Sequence, residues 1–265
     1  MRLTIEHRTE YRYEQEVAHS TQYLRLTPKS SAQQRVLSWD LDMPEQASRS
    51  TDAFGNVLHV LTLDRPHDSI SITARGEVDI SDVLLESEEQ RLSPLVFQRF
   101  TPITRADQEI KDFAARFSGQ RSVSQMAALS AALIEKMPYT PGSTIVTSTA
   151  AEAFHAGSGV CQDHAHVFLS CCRVLGIPAR YVSGYLCTDD SNHVASHAWA
   201  EVWLDGVWQT VDVTNQVITP SHHLKLAVGL DYLDACPVRG VRYGGGIESM
   251  HAFALVERSE VPAEQ

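Results

Sequence analysis

Residues 159–175 read GVCQDHAHVFLSCCRVL, and this stretch decides the fold because it predicts a helix that begins at a cysteine. Small and apolar side chains recur at three- and four-residue steps, as on one face of a helix. They are Cys161, Ala165, Phe168, Cys172 and Leu175. Gly176 and Pro178 follow, and both residue types end helices. The sequence therefore raises the question of whether Cys161 is a core thiol or a nucleophile.

Residues 196–215 read SHAWAEVWLDGVWQTVDVTN and predict a β-hairpin, since Asp205-Gly206 is a strong turn signal. With these two residues as the turn, His197 opposes Thr214. Asp212 then lies two residues from that partner, on the same face of the sheet. Diagonal neighbours of this kind are about 7–8 Å apart, which is within reach of an imidazole and a carboxylate. The hairpin therefore predicts a hydrogen bond between His197 and Asp212, provided that no bulge changes the register.

Cys161, His197 and Asp212 together supply the parts that nucleophilic acyl transfer requires. A cysteine in the first turn of a helix lies beside unpaired backbone N–H groups and the positive end of the helix dipole, and both favour the thiolate. A histidine carries a proton to the leaving group, and an aspartate orients that histidine. The backbone N–H groups are natural donors to the oxyanion, and Tyr139 and Gln162 are weaker candidates for that role.

These residues and their neighbours resemble the transglutaminase-like superfamily. The matching motifs are G-x-C at a helix start, H-A-W on a strand and D-x-T-N after the next strand. MPYTPGST (137–144) and HHLKLAVGLDYLDACPVRGVRYGG (222–245) also resemble the family. DAFGN (52–56) resembles an element of the bacterial subset that carries a β-rich N-terminal region. The resemblance covers nearly the whole chain.

The resemblance implies a papain-like α+β core, in which a helix bearing Cys161 packs on an antiparallel sheet bearing His197 and Asp212. Cys161 would be the nucleophile, His197 the general base and acid, and Asp212 the residue that orients His197. The implied activity is that of an amide acyltransferase, deamidase or cysteine peptidase that forms a thioester. We expect a peptide or protein carboxamide as substrate, water or a primary amine as acceptor, and no cofactor.

Two positions depart from the family pattern. Val213 stands where many members have proline, and His164 stands where an aromatic residue is usual. His164 lies one helical turn from Cys161, so it is a candidate for tuning the thiol or shaping the pocket. Trp199 and Glu201 share a strand face with the candidate histidine and are further pocket candidates. Aromatic strand residues are more often core residues, and Glu201 fits a solvated neighbour equally well.

Residues 1–85 alternate apolar and polar side chains between turn residues, as half-buried antiparallel strands do. This pattern predicts a small β-sandwich. Further along the chain the pattern changes to that of helices, predicted at 106–119, 122–137 and 148–157. We therefore predict an N-terminal β-sandwich domain over residues 1–100 and a transglutaminase-like catalytic core over residues 101–265.

Other interpretations stay open at this point. Read alone, Cys161 fits a core thiol, because buried cysteine is common. A protein with the same core can be a non-catalytic binding module, although such proteins usually lose a triad member and here all three residues are present. An amidase for small peptide-like or γ-glutamyl substrates would carry the same residues, since specificity resides in the loops of the cleft.

The twelve histidines raise the possibility of a metal site. His164 and His166 point to nearly opposite sides of a helix, so they cannot chelate one ion together. Cys161 and His164 could share a metal, but no HExxH or CxxC motif accompanies them. The remaining candidates are His155, His193, His222 and His223. We expect no metal.

Charge and composition limit the partners and the compartment. The net charge of −11, without a basic run, excludes a nucleic-acid partner. No stretch approaches the roughly 18 apolar residues of a membrane span, and the charged N-terminus has no apolar signal-peptide region. The five cysteines without a CxxC pair fit reduced thiols. We therefore expect a cytoplasmic protein without a membrane partner, and the sequence leaves the oligomeric state open.

Overall fold

The structure is a computed structural model that describes residues 1–81, 92–187, 196–218 and 222–259. Its strands in chain order are β1 (Arg2–Leu24), β2 (Gln34–Asp42), β3 (Ser48–Thr51), β4 (Val57–Leu63), β5 (His67–Ile80), β6 (Ala179–Leu186), β7 (Ser196–Leu204), β8 (Val207–Val211), β9 (His223–Gly229), β10 (Val238–Gly244) and β11 (Glu248–Ser259). Its α-helices are α1 (Gln108–Ala115), α2 (Val123–Lys136), α3 (Ala150–Ala156), α4 (Cys161–Val174) and α5 (Tyr232–Ala235). The predicted α+β class is confirmed.

The long strand β1 is the centre of a seven-stranded sheet. Its first half pairs with β5 and β11 and its second half with β4 and β10, all antiparallel. The strands β4 and β5 therefore follow each other along one side of β1, and β10 and β11 along the other. Both lines are interrupted near Val17 of β1: the pairing with β5 shifts register between Arg12 and Val17, and residues 245–247 separate β10 from β11 opposite residues 14–16. Such bulges bend strands, so the sheet curves at this level.

Three consecutive glycines form the break between β10 and β11. Gly244, Gly245 and Gly246 all have positive φ angles, of 88°, 93° and 62°. A side chain is strained in this left-handed region, so glycine is the residue that permits the break. The chain thereby passes the bend of β1 and resumes its pairing with that strand at Glu248.

The β-rich region has the predicted strands, but its architecture differs from the prediction in two respects. Within the described residues its strands form one curved sheet instead of the two facing sheets of a sandwich. Two of its strands, β10 and β11, come from the end of the chain, which we had assigned to the catalytic core. Alternating polarity indicates that a strand is half buried, but it does not predict which strand will be its neighbour in the sheet.

The second sheet has four strands in the order β8-β7-β6-β9, all antiparallel. The helix α4 packs on β6 and β7, and α1, α2 and α3 pack around α4. The predicted helices are confirmed, because α1, α2, α3 and α4 all lie within the predicted stretches. No helix in the described part of the chain has the length and apolar character needed to cross a membrane.

The two sheets share one hydrophobic core and several hydrogen bonds. Leu224 and Leu226 of the small sheet pack among the buried side chains of the large sheet. At the outer strand β9, the side-chain amide of Gln34 donates to the Lys225 carbonyl and accepts from the Lys225 N–H, both over 2.8 Å. Asn56 makes the same pair of bonds with the backbone of Val228, over 2.8 and 2.9 Å. Side chains of the large sheet therefore satisfy backbone groups of β9.

Candidate active site

Cys161 is the first residue of α4 and is partly exposed, whereas the other four cysteines are buried. The helix begins here because Asp163 closes its first turn. The Val160 N–H donates to Asp163 Oδ2 over 2.8 Å, and an acidic side chain at this end also interacts favourably with the helix dipole. The prediction that Cys161 begins a helix is confirmed.

The segment that precedes α3 is attached to the start of α4. Tyr139 and Gly159 form an isolated parallel bridge, in which the Thr140 N–H donates to the Gly159 carbonyl over 2.8 Å. The Thr144 hydroxyl donates to Asp163 Oδ2 over 2.6 Å. A Cβ atom on Gly159 would lie 2.7 Å from the Cβ of Asp163, so glycine permits this close approach. Contacts from two segments therefore fix the backbone around Cys161.

The hairpin of β7 and β8 positions the candidate histidine. Its turn residues Asp205 and Gly206 have positive φ angles of 49° and 85°, and Leu204 pairs with Val207 in the predicted register. The ladder ends where Ala200 pairs with Val211, so the prediction that His197 opposes Thr214 is wrong. The chain turns at residues 213–216 instead of continuing the strand.

Despite this early end of the ladder, the predicted hydrogen bond is present: His197 Nε2 lies 2.8 Å from Asp212 Oδ2. Asp212 sits just past β8, where it forms an isolated bridge with Val217. The thiol of Cys161 lies beside His197, since it is among the groups that raise the pKa of this imidazole. Because Nε2 faces Asp212, Nδ1 is the ring nitrogen left for the thiol. The three residues that the sequence singled out are therefore brought together.

Asp212 is fully buried and accepts hydrogen bonds from several groups. His223 Nε2 lies 2.9 Å from Oδ2, and the Asn215 side-chain amide donates to the same oxygen over 2.8 Å. The Asn215 N–H donates to Oδ1 over 3.1 Å. Burial by itself raises the pKa of Asp212, but the hydrogen bonds from His197 and His223 outweigh it and hold that pKa well below its usual range.

His197 is held in its protonated form by the same contacts. Burial lowers the pKa of His197, whereas the hydrogen bonds to Asp212 and Cys161 and the charges of both groups raise it to about 10. An imidazolium flanked by a carboxylate and a thiol is a proton donor ready for a leaving group. This arrangement has the chemistry of a general acid placed beside a cysteine.

The two weaker oxyanion candidates lie near Cys161, but they differ in their hydrogen-bond partners. Tyr139 is half exposed, and burial together with the charge of Cys161 raises its pKa, so its phenol lies within electrostatic reach of the sulfur. The side-chain amide of Gln162 donates to the Val146 carbonyl over 3.0 Å. That amide therefore holds the preceding loop against the start of α4.

His164 is buried and bridges three parts of the fold. Its Nε2 donates to the Met137 carbonyl at the end of α2 over 2.8 Å. Its Nδ1 lies 2.9 Å from the Thr214 hydroxyl, in the turn that follows Asp212. Burial is the main cause that lowers the pKa of His164. The residue that departs from the family pattern thus connects the cysteine helix to the aspartate turn.

Trp199 and Glu201 lie on the same strand as His197 but have different surroundings. The Trp199 ring is buried and stacks on His197, with ring centroids 6.0 Å apart. Glu201 is also buried, and its carboxylate forms ion pairs with Arg180 and with Lys225, the latter over 3.1 Å. Glu201 is therefore not the solvated neighbour that the sequence allowed, because cations from β6 and β9 enclose it.

The structure also bears on the candidate metal ligands. The ligand atoms of His197, Asp212 and His223 lie within 4.8 Å of one another, so these three side chains are the group that could hold a metal ion among the described residues. His155 instead lies 2.8 Å from Asp107, and His166 accepts from the Tyr232 N–H over 3.1 Å. Among the remaining candidates, His222 contacts Arg258, and His193 lies outside the described residues.

The sequence does not predict two other partners of Asp212, His223 and Asn215. His223 is part of a His-His pair that we considered only as metal ligands. Asn215 lies within the quoted D-x-T-N motif, and an asparagine shortly after an aspartate is a signal for a turn that the side chains stabilise. Nothing in the local pattern indicates that β9 would bring His223 to Asp212, since the two meet only through the sheet.

The fold and the site define a papain-like α+β protein with a cysteine at a helix start beside a buried His-Asp pair. The pattern of the family described as the bacterial transglutaminase-like N-terminal region matches residues 3–79, and that of the transglutaminase-like superfamily matches residues 111–213. The chain belongs to the transglutaminase-like superfamily.

Relatives and a solved structure agree with this assignment. An uncharacterized protein of Mycobacterium leprae is 32% identical over 97% of this chain and 99% of its own length. An uncharacterized protein of Mycobacterium tuberculosis H37Rv is 32% identical over 91% of this chain and 88% of its own. The crystal structure of a candidate cysteine protease from Cytophaga hutchinsonii superposes with a TM-score of 0.78 at 21% identity, covering 98% of this chain and 92% of that one. This likeness extends the shared fold to both sheets.

Proposed function

We propose that this protein is a cysteine-dependent acyltransferase or hydrolase that acts on carboxamide or peptide bonds through a thioester. One observation carries the proposal: the imidazole of His197 lies 2.8 Å from the Asp212 carboxylate, and the nearby Cys161 thiol is among the groups that raise its pKa. Membership of the transglutaminase-like superfamily and the likeness to a candidate cysteine protease support the same reaction class.

The first half of the proposed reaction forms the thioester. The Cys161 thiolate attacks the carbonyl carbon, a C–S bond forms, and the carbonyl oxygen takes up the electron pair. Backbone N–H groups at the start of α4 donate to this oxyanion, and Tyr139 is a further candidate donor. His197 then gives its proton to the departing nitrogen, the C–N bond breaks, and an amine leaves.

The second half regenerates the thiolate. Water or a primary amine attacks the thioester carbonyl, His197 accepts its proton, and the C–S bond breaks. Water gives hydrolysis, as in a peptidase or deamidase, and an amine gives a new amide, as in a transglutaminase. Asp212 keeps its charge throughout and orients the imidazole. The proposed partners are therefore a peptide or protein carboxamide and one of these two acceptors.

We assign the reaction to the reducing environment of the cytoplasm, because all five cysteines are free thiols and the proposed nucleophile requires one. The assignment is tested by fractionating the native host and following the full-length protein with an antibody. Enrichment in an envelope or extracellular fraction would contradict it.

The test is the rate at which iodoacetamide alkylates each cysteine as a function of pH, located by mass spectrometry, in the wild type and in His197→Ala. We expect Cys161 to be alkylated at least about tenfold faster than the other four thiols near pH 7, because burial raises the pKa of Cys171, Cys172 and Cys236. The advantage of Cys161 should fall in His197→Ala. An unreactive Cys161 in folded protein would favour the non-catalytic binding module.

A substrate screen then separates the remaining candidates. Protein acyl donors and small γ-glutamyl amides are incubated with enzyme, with and without a primary amine, and the thioester and products are identified by mass spectrometry. Cys161→Ala should form neither thioester nor product, whereas Cys187→Ala, a change at a buried thiol, should retain activity. Activity that survives Cys161→Ala would refute the mechanism.

A further inference from the structure

His223 is a buried histidine beside the candidate site and has no role in the reaction steps proposed above. Its side chain is almost completely buried, and its Nε2 lies 2.9 Å from Asp212 Oδ2. His197 Nε2 lies 2.8 Å from the same oxygen. One carboxylate oxygen therefore accepts from two imidazoles, and the pKa of one of them, His197, is also raised by Cys161.

The two ring nitrogens of His223 have different surroundings. Nε2 faces the carboxylate, so the tautomer with hydrogen on Nε2 is the one that donates to Asp212. Nδ1 is buried and has no hydrogen-bond partner among the described residues. His223 therefore donates to Asp212 through Nε2. Among the described residues, no group contacts its Nδ1 to receive or supply a second proton.

The small sheet creates the space in which the two histidines converge. Gly184 lies on β6, between β7 and β9, and pairs with His197. A Cβ atom there would lie 2.7 Å from the Trp199 ring and 2.0 Å from the Leu224 carbonyl oxygen. Because the glycine leaves this space open, Trp199 packs edge-on against His223, with ring centroids 4.9 Å apart, and stacks on His197.

We propose that His223 is a positioning residue, which holds the Asp212 carboxylate in the orientation that aligns His197 with Cys161. The proposal rests on the acyl-transfer function proposed above. The carboxylate is attached to the turn after β8, and the Asn215 amide holds it from that same turn. His223 supplies the one contact from β9, so it links the orientation of Asp212 to the sheet. Without this bond the carboxylate could rotate relative to the imidazole.

The expected effect is on turnover, with little effect on substrate binding. Partners of this outer kind typically change activity by about 10- to 100-fold when they are removed, and we expect this loss in kcat with KM changed less than about threefold. The titratable groups around Asp212 are His197 on β7, His223 on β9, and Cys161 and His164 on α4. When the carboxylate rotates, His197 loses part of the contact that raises its pKa, so the alkaline limb of the pH-rate profile should move downward.

The test compares three substitutions at one position. His223→Gln places an amide nitrogen where Nε2 lies, His223→Asn places it where Nδ1 lies, and His223→Leu removes the donor. Steady-state kinetics and the pH profile of Cys161 alkylation are measured for each, after thermal unfolding has shown that the variant is folded. The adjacent His222→Gln is the matched control, because that residue contacts Arg258 instead of Asp212.

We expect His223→Gln to stay close to wild type, and His223→Asn and His223→Leu to show the loss in kcat and the shifted profile. If His223→Leu does not fold, the comparison of the Gln and Asn variants decides. Wild-type behaviour of the Asn variant, or a loss in the Gln variant as large as in the Asn variant, would overturn the proposal. Activity that survives Cys161→Ala would instead refute the acyl-transfer function, so the two failures are distinguishable.

Discussion

At the scale of single residues, two ion-paired side chains on one strand differ in the groups that surround them. His197 and Glu201 both lie on β7, and the side chains of both are ion-paired and at most 8% exposed. His197 is hydrogen-bonded to Asp212, and its pKa is also raised by the partly exposed thiol of Cys161. Glu201 is enclosed by Arg180 and Lys225, so both its carboxylate oxygens are engaged. The partners of a buried charge, rather than its burial, therefore indicate whether it takes part in chemistry.

The ion pairs of Glu201 lead to a prediction about stability. Glu201→Ala leaves Arg180 buried without its carboxylate, and breaking a buried pair in this way costs about 3–5 kcal/mol. The comparison is Glu6→Ala, which removes an exposed partner of Arg75 and should cost less than about 1 kcal/mol. Urea denaturation measures both. Normal stability combined with an altered KM in Glu201→Ala would instead make Glu201 a pocket residue.

At the scale of elements, the start of α4 determines where the thiol lies. Asp163 receives the Val160 N–H and the Thr144 hydroxyl, and it approaches Gly159 so closely that no side chain fits there. The helix start is thus held by its own first turn and by the segment before α3. Cys161 is therefore held by a hydrogen-bonded helix turn, and side chains on helices are positioned more precisely than those on loops.

This packing predicts that Gly159→Ala impairs Cys161 without touching the thiol. The added methyl group must displace Asp163, because it would lie 2.9 Å from Oδ2, and the first turn of α4 should shift. A misplacement of about 1 Å can cost 100-fold in rate, so we expect alkylation of Cys161 to slow by about 10- to 100-fold. Ser158→Ala, one residue earlier, is the control. Equal alkylation rates in both variants would show that this turn tolerates the displacement.

At the scale of the whole molecule, the two sheets depend on each other. The long strand β1 pairs with β10 and β11, which come from the opposite end of the chain. The backbone of β9 bonds to the side-chain amides of Gln34 and Asn56 from the large sheet. These contacts join residues far apart in sequence. Each sheet therefore needs residues from both the first and the last part of the chain.

We therefore predict that residues 101–265 do not fold by themselves. This fragment would leave β10 and β11 without β1 and would expose Leu224 and Leu226. We expect no cooperative thermal transition and no preferential alkylation of Cys161, and we expect residues 1–100 added in trans to restore both. A fragment that unfolds cooperatively and keeps a reactive Cys161 would establish an independent domain with a boundary near residue 100.

The contact between the sheets also predicts sensitivity to acid. His7 Nδ1 lies 2.6 Å from the Tyr185 hydroxyl, and burial lowers the pKa of His7 from 6.5 to about 4. Between these values the unfolded chain binds a proton that the folded chain does not, so stability falls as the pH drops from about 6.5 toward 4. Burial lowers the pKa of His166 to about 4 as well.

Each such histidine contributes up to about 1.4 kcal/mol per pH unit to this slope. Substituting His7 by Gln should remove its share and flatten the dependence of the free energy of unfolding on pH, measured by urea denaturation from pH 7 to pH 4. A wild-type slope in His7→Gln would mean that His7 takes up its proton without unfolding.

Much of the site follows from local patterns. Helix periodicity and the flanking glycines placed Cys161 at a helix start, and the Asp-Gly turn set the register that brings His197 near Asp212. These features depend on neighbours in sequence, so they can be read from the chain alone. The roles of Cys161, His197 and Asp212 remain predictions that the alkylation experiment tests.

Only the tertiary structure decided what surrounds these residues. The ladder between β7 and β8 ends before Thr214, and His223 on β9 contacts Asp212. Cations from two further strands enclose Glu201. The pairing of β10 and β11 with β1 likewise joined the two ends of the chain in one sheet. Alternating polarity predicts that a residue is buried. The residue that it contacts depends on which strands become neighbours. That choice depends on long-range packing, which no local stretch of sequence encodes.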